Sequence, residues 1–439
     1  MRKLQILLFT VLLFGSISES LGQNTGSIEL LGKLPITDLP IHDVWGYTDT
    51  ATGNQYALLG ASNSGLRVID VTDATDPQLV GTLSGGGVNA IDVKTWQNFA
   101  YVVGESLSVT GKVIDLSDPT DPVQVGTFPG GHNITISAGG FMYLSAPGVR
   151  IFDLNSDPTA PELVYTDNSC EGHDISIIDD RLFDFSDNCG TRIFDVSQPD
   201  TLVGLGAVPP SGMFHHSGWT TEDGNHVFVC DELASPSEND ITVWDISDVQ
   251  NPFLVDSFSD PTAYVHNLYV LGDYAFVSYY RAGFRVFDVS DPTNISLIAE
   301  YDTDSTASGP GYGGNFGLYT FWGTDKILAS DEENGLYIFS FNVTTGIDEV
   351  NADNMKLSVY PNPINGNSTL EYSLGRQSKV EIGTYNLQGQ LINSIDEGVM
   401  NEGTHRINLP TADLVQGLYF VRVRAGTTEK TMRMVIANN

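Results

Sequence analysis

One phrase, a short β-branched or aromatic run ending in Asp, recurs along the chain and constrains the fold more than any other feature. It occurs as Leu66-Arg-Val-Ile-Asp-Val71, Lys112-Val-Ile-Asp-Leu116, Arg150-Ile-Phe-Asp-Leu154, Arg192-Ile-Phe-Asp-Val196, Thr242-Val-Trp-Asp-Ile246 and Arg285-Val-Phe-Asp-Val289. A seventh copy, Leu336-Tyr-Ile-Phe-Ser-Phe341, lacks the Asp. The first six follow at intervals of 38 to 50 residues, the period of a propeller blade and not of a helical solenoid unit. Each unit opens with a strand at a His or Asn and continues with a second, such as Phe99-Ala-Tyr-Val-Val103. The phrase follows, then an Asp/Ser/Pro turn and a last strand such as Val123-Gln-Val-Gly-Thr127. Four antiparallel strands per unit make a blade. Openings near His42, Asn89, His132, His173, His216, His266 and Asn315 give seven blades. The seventh unit has no fourth strand of its own. Ile28–Leu34 resembles one, so the N-terminal segment is expected to complete the last blade and cover its edge. The predicted fold class is all-β: a seven-bladed β-propeller closed by its N-terminal strand, followed by a small C-terminal β-sandwich.

The acidic turns have a local explanation. In Asp118-Pro119, Asp157-Pro158 and Asp291-Pro292 the carboxylate caps turn N–H groups and the proline presets φ. A calcium loop would need alternating Asp ligands and a distal Glu, and that spacing does not occur.

A chain of 439 residues exceeds one ordinary core. Residues 1–22 read as a signal peptide: Arg2 and Lys3 precede an apolar run, Ile6 to Phe14, too short to cross a bilayer, with Ser20 and Gly22 placed for cleavage. Residues 23–342 are the expected propeller, 343–353 a polar linker and 354–439 a separate tail. Charge divides in the same way. Residues 23–346 hold 44 acidic and 10 basic side chains, net −34, whereas 347–439 hold 10 and 8, net −2. So acidic a chain is not a nucleic-acid binder, which needs Lys and Arg against phosphates, and no segment reads as transmembrane. The acidic surface suits cations or basic partners. Half of the ten basic residues (Arg67, Lys112, Arg150, Arg192 and Arg285) sit in the recurring phrase, where they are expected to pair with carboxylates, an anion-binding ring being the alternative. Cys170 and Cys189 fall on one rim of the fourth blade and are expected to form a disulfide in an oxidising compartment, leaving Cys230 as a buried thiol.

Six of eight His, namely His42, His132, His173, His215, His216 and His266, fall at strand openings. Equivalent inner-strand positions converge on one channel mouth. Loops carrying Glu105, Asp187, Asp231, Glu232, Asp331, Glu332 and Glu333 open on the same face. Three readings follow. The imidazoles pin each blade to its neighbour's backbone; or, with Asp231 and Glu232, they bind Ca2+ or another divalent cation; or they support metal-assisted hydrolysis or lyase chemistry.

Two resemblances add to this. In the tail, Tyr360-Pro361-Asn362-Pro363, Tyr385-Asn-Leu-Gln-Gly-Gln390 and Gly417-Leu418-Tyr419-Phe-Val421, with a basic-apolar end, resemble the type A sorting domain of the Bacteroidetes type IX secretion system. That implies the secretion machinery as partner, and a secreted or outer-membrane cell-surface location. The Arg285–Pro292 cadence resembles LVIVD-repeat proteins. His215-His-Ser-Gly-Trp-Thr-Thr-Glu-Asp-Gly224, Asp231-Glu232 and His266-Asn-Leu-Tyr-Val270 resemble the choice-of-anchor B group. The latter resemblance implies a surface propeller and carries no catalytic residues. The expected function is a non-catalytic binding module for an extracellular protein, glycan or matrix ligand, with a hydrolase or lyase as the alternative.

Overall fold

The computed structural model describes residues 25–344 except 63–64, 84–89, 105–108, 187–188, 236–237 and 307–308, and residues 355–436 except 356, 361, 363, 365–367, 375, 386–390, 412–413, 415–416 and 427. The expected signal peptide lies outside these residues. The chain divides into two compact units, Met1–Gly346 and Ile347–Asn439.

Among the described residues, seven four-stranded antiparallel sheets form the first unit. The first blade consists of Ile41–Thr48, Gln55–Ala61, Gly65–Asp70 and Gln78–Leu83. The inner strands of the next six begin at Ala90, Ile134, Ile175, His215, Leu268 and Asn315. Middle strands are apolar on both faces because both faces are covered by neighbouring blades: Ala57, Leu58 and Leu59 are all fully buried. Fourth strands meet solvent, and Leu79, Val123, Leu163, Val203 and Phe253 are exposed there.

The last blade takes its fourth strand from the other end of the unit. Thr25–Leu34 pairs antiparallel with Gly335–Thr344, from Thr25 opposite Thr344 to Leu34 opposite Leu336. A shared glycine position supports the equivalence. A Cβ on Gly81 would collide with the Pro119 carbonyl in the next blade's turn, and a Cβ on Gly126 with that of Thr159; on Gly32 it would meet that of Ala74. The first and last blades also share a core, with Ile41, Val44 and Leu59 packed with Leu328, Leu336 and Ile338.

The acidic turns behave as capped turns. Asp118, Asp157 and Asp291 each accept the backbone N–H two residues on, at 2.9, 2.9 and 3.0 Å. The Asp of the recurring phrase does likewise: Asp115, Asp195, Asp245 and Asp288 cap Ser117, Ser197, Ser247 and Ser290. This explains the missing Asp of the seventh copy. Gly335–Thr344 runs straight on to pair with the N-terminal strand, so there is no turn to cap at Ser340.

Arginines of the phrase reach carboxylates at the end of the preceding blade. Arg67 meets Asp38 at 2.9 Å, Arg192 meets Asp167 at 2.7 Å, and Arg285 meets Asp260 at 2.8 Å. Arg150 instead donates to the Ala146 carbonyl at 2.8 Å. Cys170 and Cys189 are disulfide-bonded with Cα atoms 6.3 Å apart, and Cys230 is a buried thiol whose pKa burial pushes up.

In the second unit, Leu357–Tyr360, Ser368–Leu374 and Gly403–Leu409 form one sheet. Leu391–Met400, Ser378–Tyr385, Gly417–Ala425 and Thr428–Ile436, in that order, form the other. Leu370, Tyr372, Ile382, Val421 and Met434 share the core of this sandwich.

Two stability experiments follow. A recombinant chain beginning at Pro35 exposes the edge of Gly335–Thr344 and should melt lower by more than about 5 °C; an unchanged melting temperature would contradict the assignment of the last strand. The second concerns Asp240, which is 3% exposed and accepts the Asp260 N–H at 2.5 Å. Burial, reinforced by the Asp260 charge, pushes its carboxyl up to about 7 against the pull of Arg285. Below about pH 4 both folded and unfolded chains hold the proton, so there is no penalty. Between there and 7 only the folded chain holds it, and stability falls as pH rises. Asp240→Asn should therefore raise the melting temperature at about pH 8 and leave it unchanged at about pH 4; an equal change at both would contradict the burial account.

Candidate functional site

The strand pairing shifts at the start of four inner strands, between Ile41 and Val44, Ala90 and Asp92, His215 and Ser217, and Asn315 and Leu318. These irregularities set which side chain reaches the axis. His42, Ile91, His132, His173, His216, His266 and Phe316 take the equivalent place, one per blade. Their rings run in sequence around the mouth. Centroids are 4.1 Å apart for His132–His173, 4.5 Å for His173–His216, 4.7 Å for His216–His266, 4.1 Å for His266–Phe316 and 5.4 Å for Phe316–His42. Ile91 lines the same channel.

This corrects the expectation that Asn stands in for His at the second and seventh blades. Asn315 lies one residue before the ring position, and its Nδ2 donates within its own blade, to Ser330 O at 2.8 Å and Gly317 O at 3.3 Å. Phe316 and Ile91 are the ring residues there; Asn89 lies outside the described residues. His215 shares the offset, since His215 and Asn315 pair with Asp231 and Asp331. It turns away from the axis, with Nδ1 2.8 Å from Thr191 Oγ1.

Two ring imidazoles bond the next blade. His216 Nδ1 donates to the His266 carbonyl at 3.1 Å, and His266 Nδ1 to that of Phe316 at 2.7 Å. A carbonyl only accepts, so the proton sits on Nδ1 in both. The residues immediately after the ring form a second belt. Asp92 accepts the Ile134 N–H at 2.5 Å, Asn133 accepts that of Ile175 at 3.2 Å, and Ser217 donates to the His266 carbonyl at 2.7 Å. Lys94 completes the wall between Asp43 (3.2 Å) and Asp92, 4.4 Å above the Trp45 ring.

Among the described residues, carboxylates enter the mouth at three points. Asp174 Oδ1 lies 3.2 Å from His173 Nδ1 and 3.9 Å from His132 Nε2. Glu232 Oε2 lies 3.3 Å from His216 Nε2, and its other oxygen accepts the Tyr280 hydroxyl. Glu332 lies 3.3 Å from His42 Nδ1. Burial, with neighbouring imidazoles, lowers His216 to about 3 and His266 to about 4, and His132 moves the same way. His173 is raised, because the Asp174 hydrogen bond and charge outweigh burial. Asp174 itself is held below the usual carboxylate range, the surrounding imidazoles outweighing burial. Among the described residues, two sets could hold a metal: His132, His173 and Asp174, and His173, His216 and Glu232, each with ligand atoms within 4.8 Å of one another. Of the expected mouth residues, Glu232 joins the cluster and Asp231 does not. Asp231 caps the loop instead, accepting the Leu233 N–H at 3.0 Å and the Phe214 N–H at 3.1 Å. Glu105 and Asp187 lie outside the described residues.

At the other end of the inner strands, Phe321 reaches over the axis. Its ring lies 5.5 Å from Trp45, 5.7 Å from Trp219, 5.3 Å from Tyr269 and 5.4 Å from Tyr319, which belong to four blades. It remains 43% exposed. The expected mouth residues do not include Asp174, Tyr280 or Phe321. A signal existed for Asp174: each ring His is followed by Asp, Asn or Ser, as in His42-Asp43, His132-Asn133, His173-Asp174, His216-Ser217 and His266-Asn267.

In the tail, Tyr360 bonds Glu371 at 3.2 Å, Asn362 Nδ2 donates to Arg433 O at 3.0 Å, Gly417 opens a strand and Tyr419 is buried in the core. Pro361 and Pro363 lie outside the described residues.

Comparison with known proteins agrees with this architecture. The LVIVD repeat family matches residues 50–84, 87–129 and 263–303, and the secretion system C-terminal sorting domain matches residues 358–437. No curated protein matches the chain. Among solved structures it is similar to U3-55K, at 10% identity and a TM-score of 0.51 over 71% of this chain and 98% of that one. It is also similar to the WD40 repeats of RRP9, at 10% identity and a TM-score of 0.52 over 73% of this chain and 100% of that one. Such identities speak to the propeller fold alone. The chain thus carries LVIVD repeats within a β-propeller fold and, at its C-terminal end, a type IX secretion sorting domain that indicates export to the cell surface or beyond.

Proposed function

We propose that the exported propeller is a non-catalytic binding module that takes an extracellular glycan, protein or matrix ligand at the aromatic mouth of its channel. The observation that carries this reading is Phe321. A large apolar ring kept 43% exposed, and ringed by Trp45, Trp219, Tyr269 and Tyr319, presents flat π faces beside polar channel walls. Rigid aromatic rings give contact area at little entropic cost, which is why they concentrate at recognition surfaces. His216 and His266 hold neighbouring blades together through Nδ1, an architectural task. The resemblance to choice-of-anchor B proteins agrees with a module displayed on a surface.

An array of extracellular glycans and matrix proteins, probed with the purified chain, tests this directly. Phe321→Ala should reduce retention at least about tenfold, some 1.4 kcal/mol, with the melting temperature unchanged because the ring is half-exposed. Equal retention of parent and variant would remove the aromatic mouth as the binding face. Metal-dependent turnover of an ester, phosphate or glycoside, lost in Glu232→Gln, would replace this reading with the hydrolase.

A further inference from the structure

We propose that His173, His216 and Glu232 form a binding site for a zinc-class divalent cation at the channel mouth. The proposal rests on the mouth geometry and is independent of the binding role assigned to the aromatic end. His216 supplies the central argument. Its Nδ1 proton is committed to the His266 carbonyl at 3.1 Å, so in the neutral ring Nε2 carries a lone pair. That lone pair faces Glu232 Oε2 at 3.3 Å. Two acceptors at this distance repel one another unless a cation or proton lies between them.

The surroundings are those of a metal site. Ligating imidazoles characteristically donate the other ring N–H to a carbonyl or carboxylate, which fixes the tautomer. His216 does so to His266 O, and His173 Nδ1 lies 3.2 Å from Asp174 Oδ1. Ligating carboxylates are themselves hydrogen-bonded, and Tyr280 donates to the other oxygen of Glu232. Tyr280 is held at φ 36°, a left-handed conformation costly for a residue with a side chain, on the residue that positions that carboxylate. The second candidate set shares His173, and Asp174 there is engaged with the His173 ring. Asp174 is therefore the orienting partner and Glu232 the ligand. Two imidazoles and one carboxylate suit Zn2+, whereas Ca2+ takes six or more oxygens. Three protein ligands leave a coordination position open.

Replacing His216 also removes a blade contact and could prevent folding, so the test falls on Glu232 and Tyr280. The metal-stripped full chain is titrated with ZnCl2 and with CaCl2 by calorimetry, and its melting temperature is followed with each. The parent should bind stoichiometric Zn2+ and melt higher with it, and should respond little to Ca2+. Glu232→Gln should weaken Zn2+ binding by roughly 100-fold or more, Tyr280→Phe by about 10–100-fold, and Glu332→Gln, on the His42 side, not at all. Each metal-free variant should melt with the parent. Absence of stoichiometric Zn2+ binding by the parent, equal Zn2+ affinity in Glu232→Gln, or tighter binding of Ca2+ than of Zn2+ would each overturn the assignment.

Discussion

Seven inner strands converging on one axis leave room for one side chain each, and the rest of the propeller depends on what fills those places. Here five are imidazoles, one is Ile91 and one is Phe316. Ring centroids 4.1–4.7 Å apart from His132 to Phe316 exclude a crown of cations, since like charges so close and so buried are costly. Neutral imidazole suits the place because it is flat, packs tilted against its neighbour, and still carries a donor. A net hydrogen bond contributes only about 1 kcal/mol, but an unpaired buried carbonyl costs about 1–3 kcal/mol. The blade-to-blade bonds at His266 O and Phe316 O therefore select the arrangement of blades more than they stabilise it.

The same constraint couples architecture to chemistry. At His216, fixing the proton on Nδ1 through a backbone carbonyl leaves Nε2 with a lone pair that faces Glu232. Pinning and ligation are then not rival roles for His216, because they use different nitrogens of one ring. Glu232 reaches that nitrogen from a loop that Asp231 caps, and Tyr280 fixes its second oxygen from the adjacent blade.

Much of this was legible in the sequence, for identifiable reasons. The recurring phrase fixed the third strand of every blade, its Asp being the cap that ends the strand. The missing Asp at Ser340 and the strand-like Ile28–Leu34 are two consequences of one arrangement, a third strand that pairs with the start of the unit instead of turning. The ring was legible only to within one residue. An irregular register moves a side chain from between the blades to the axis, and nothing in the letters distinguishes His215 from His216 or Asn315 from Phe316. Tyr280 and Phe321 belong to connections outside the repeated strands, so no repetition marks them. In the tail, the sheet-edge strand Leu391–Met400 carries little signal in the sequence, because half of its side chains are exposed, the rest are only half-buried, and no apolar alternation marks it.

The central claim is that His216 and His266 are neutral at the axis with their protons on Nδ1. Nitrogen NMR of the 15N-histidine-labelled, metal-free chain near pH 7 reads this directly. The account predicts that both rings are in the Nδ1–H tautomer, with Nε2 unprotonated. Finding the Nε2–H tautomer, or the imidazolium, at both would contradict the blade-to-blade bonds and the metal site built upon them.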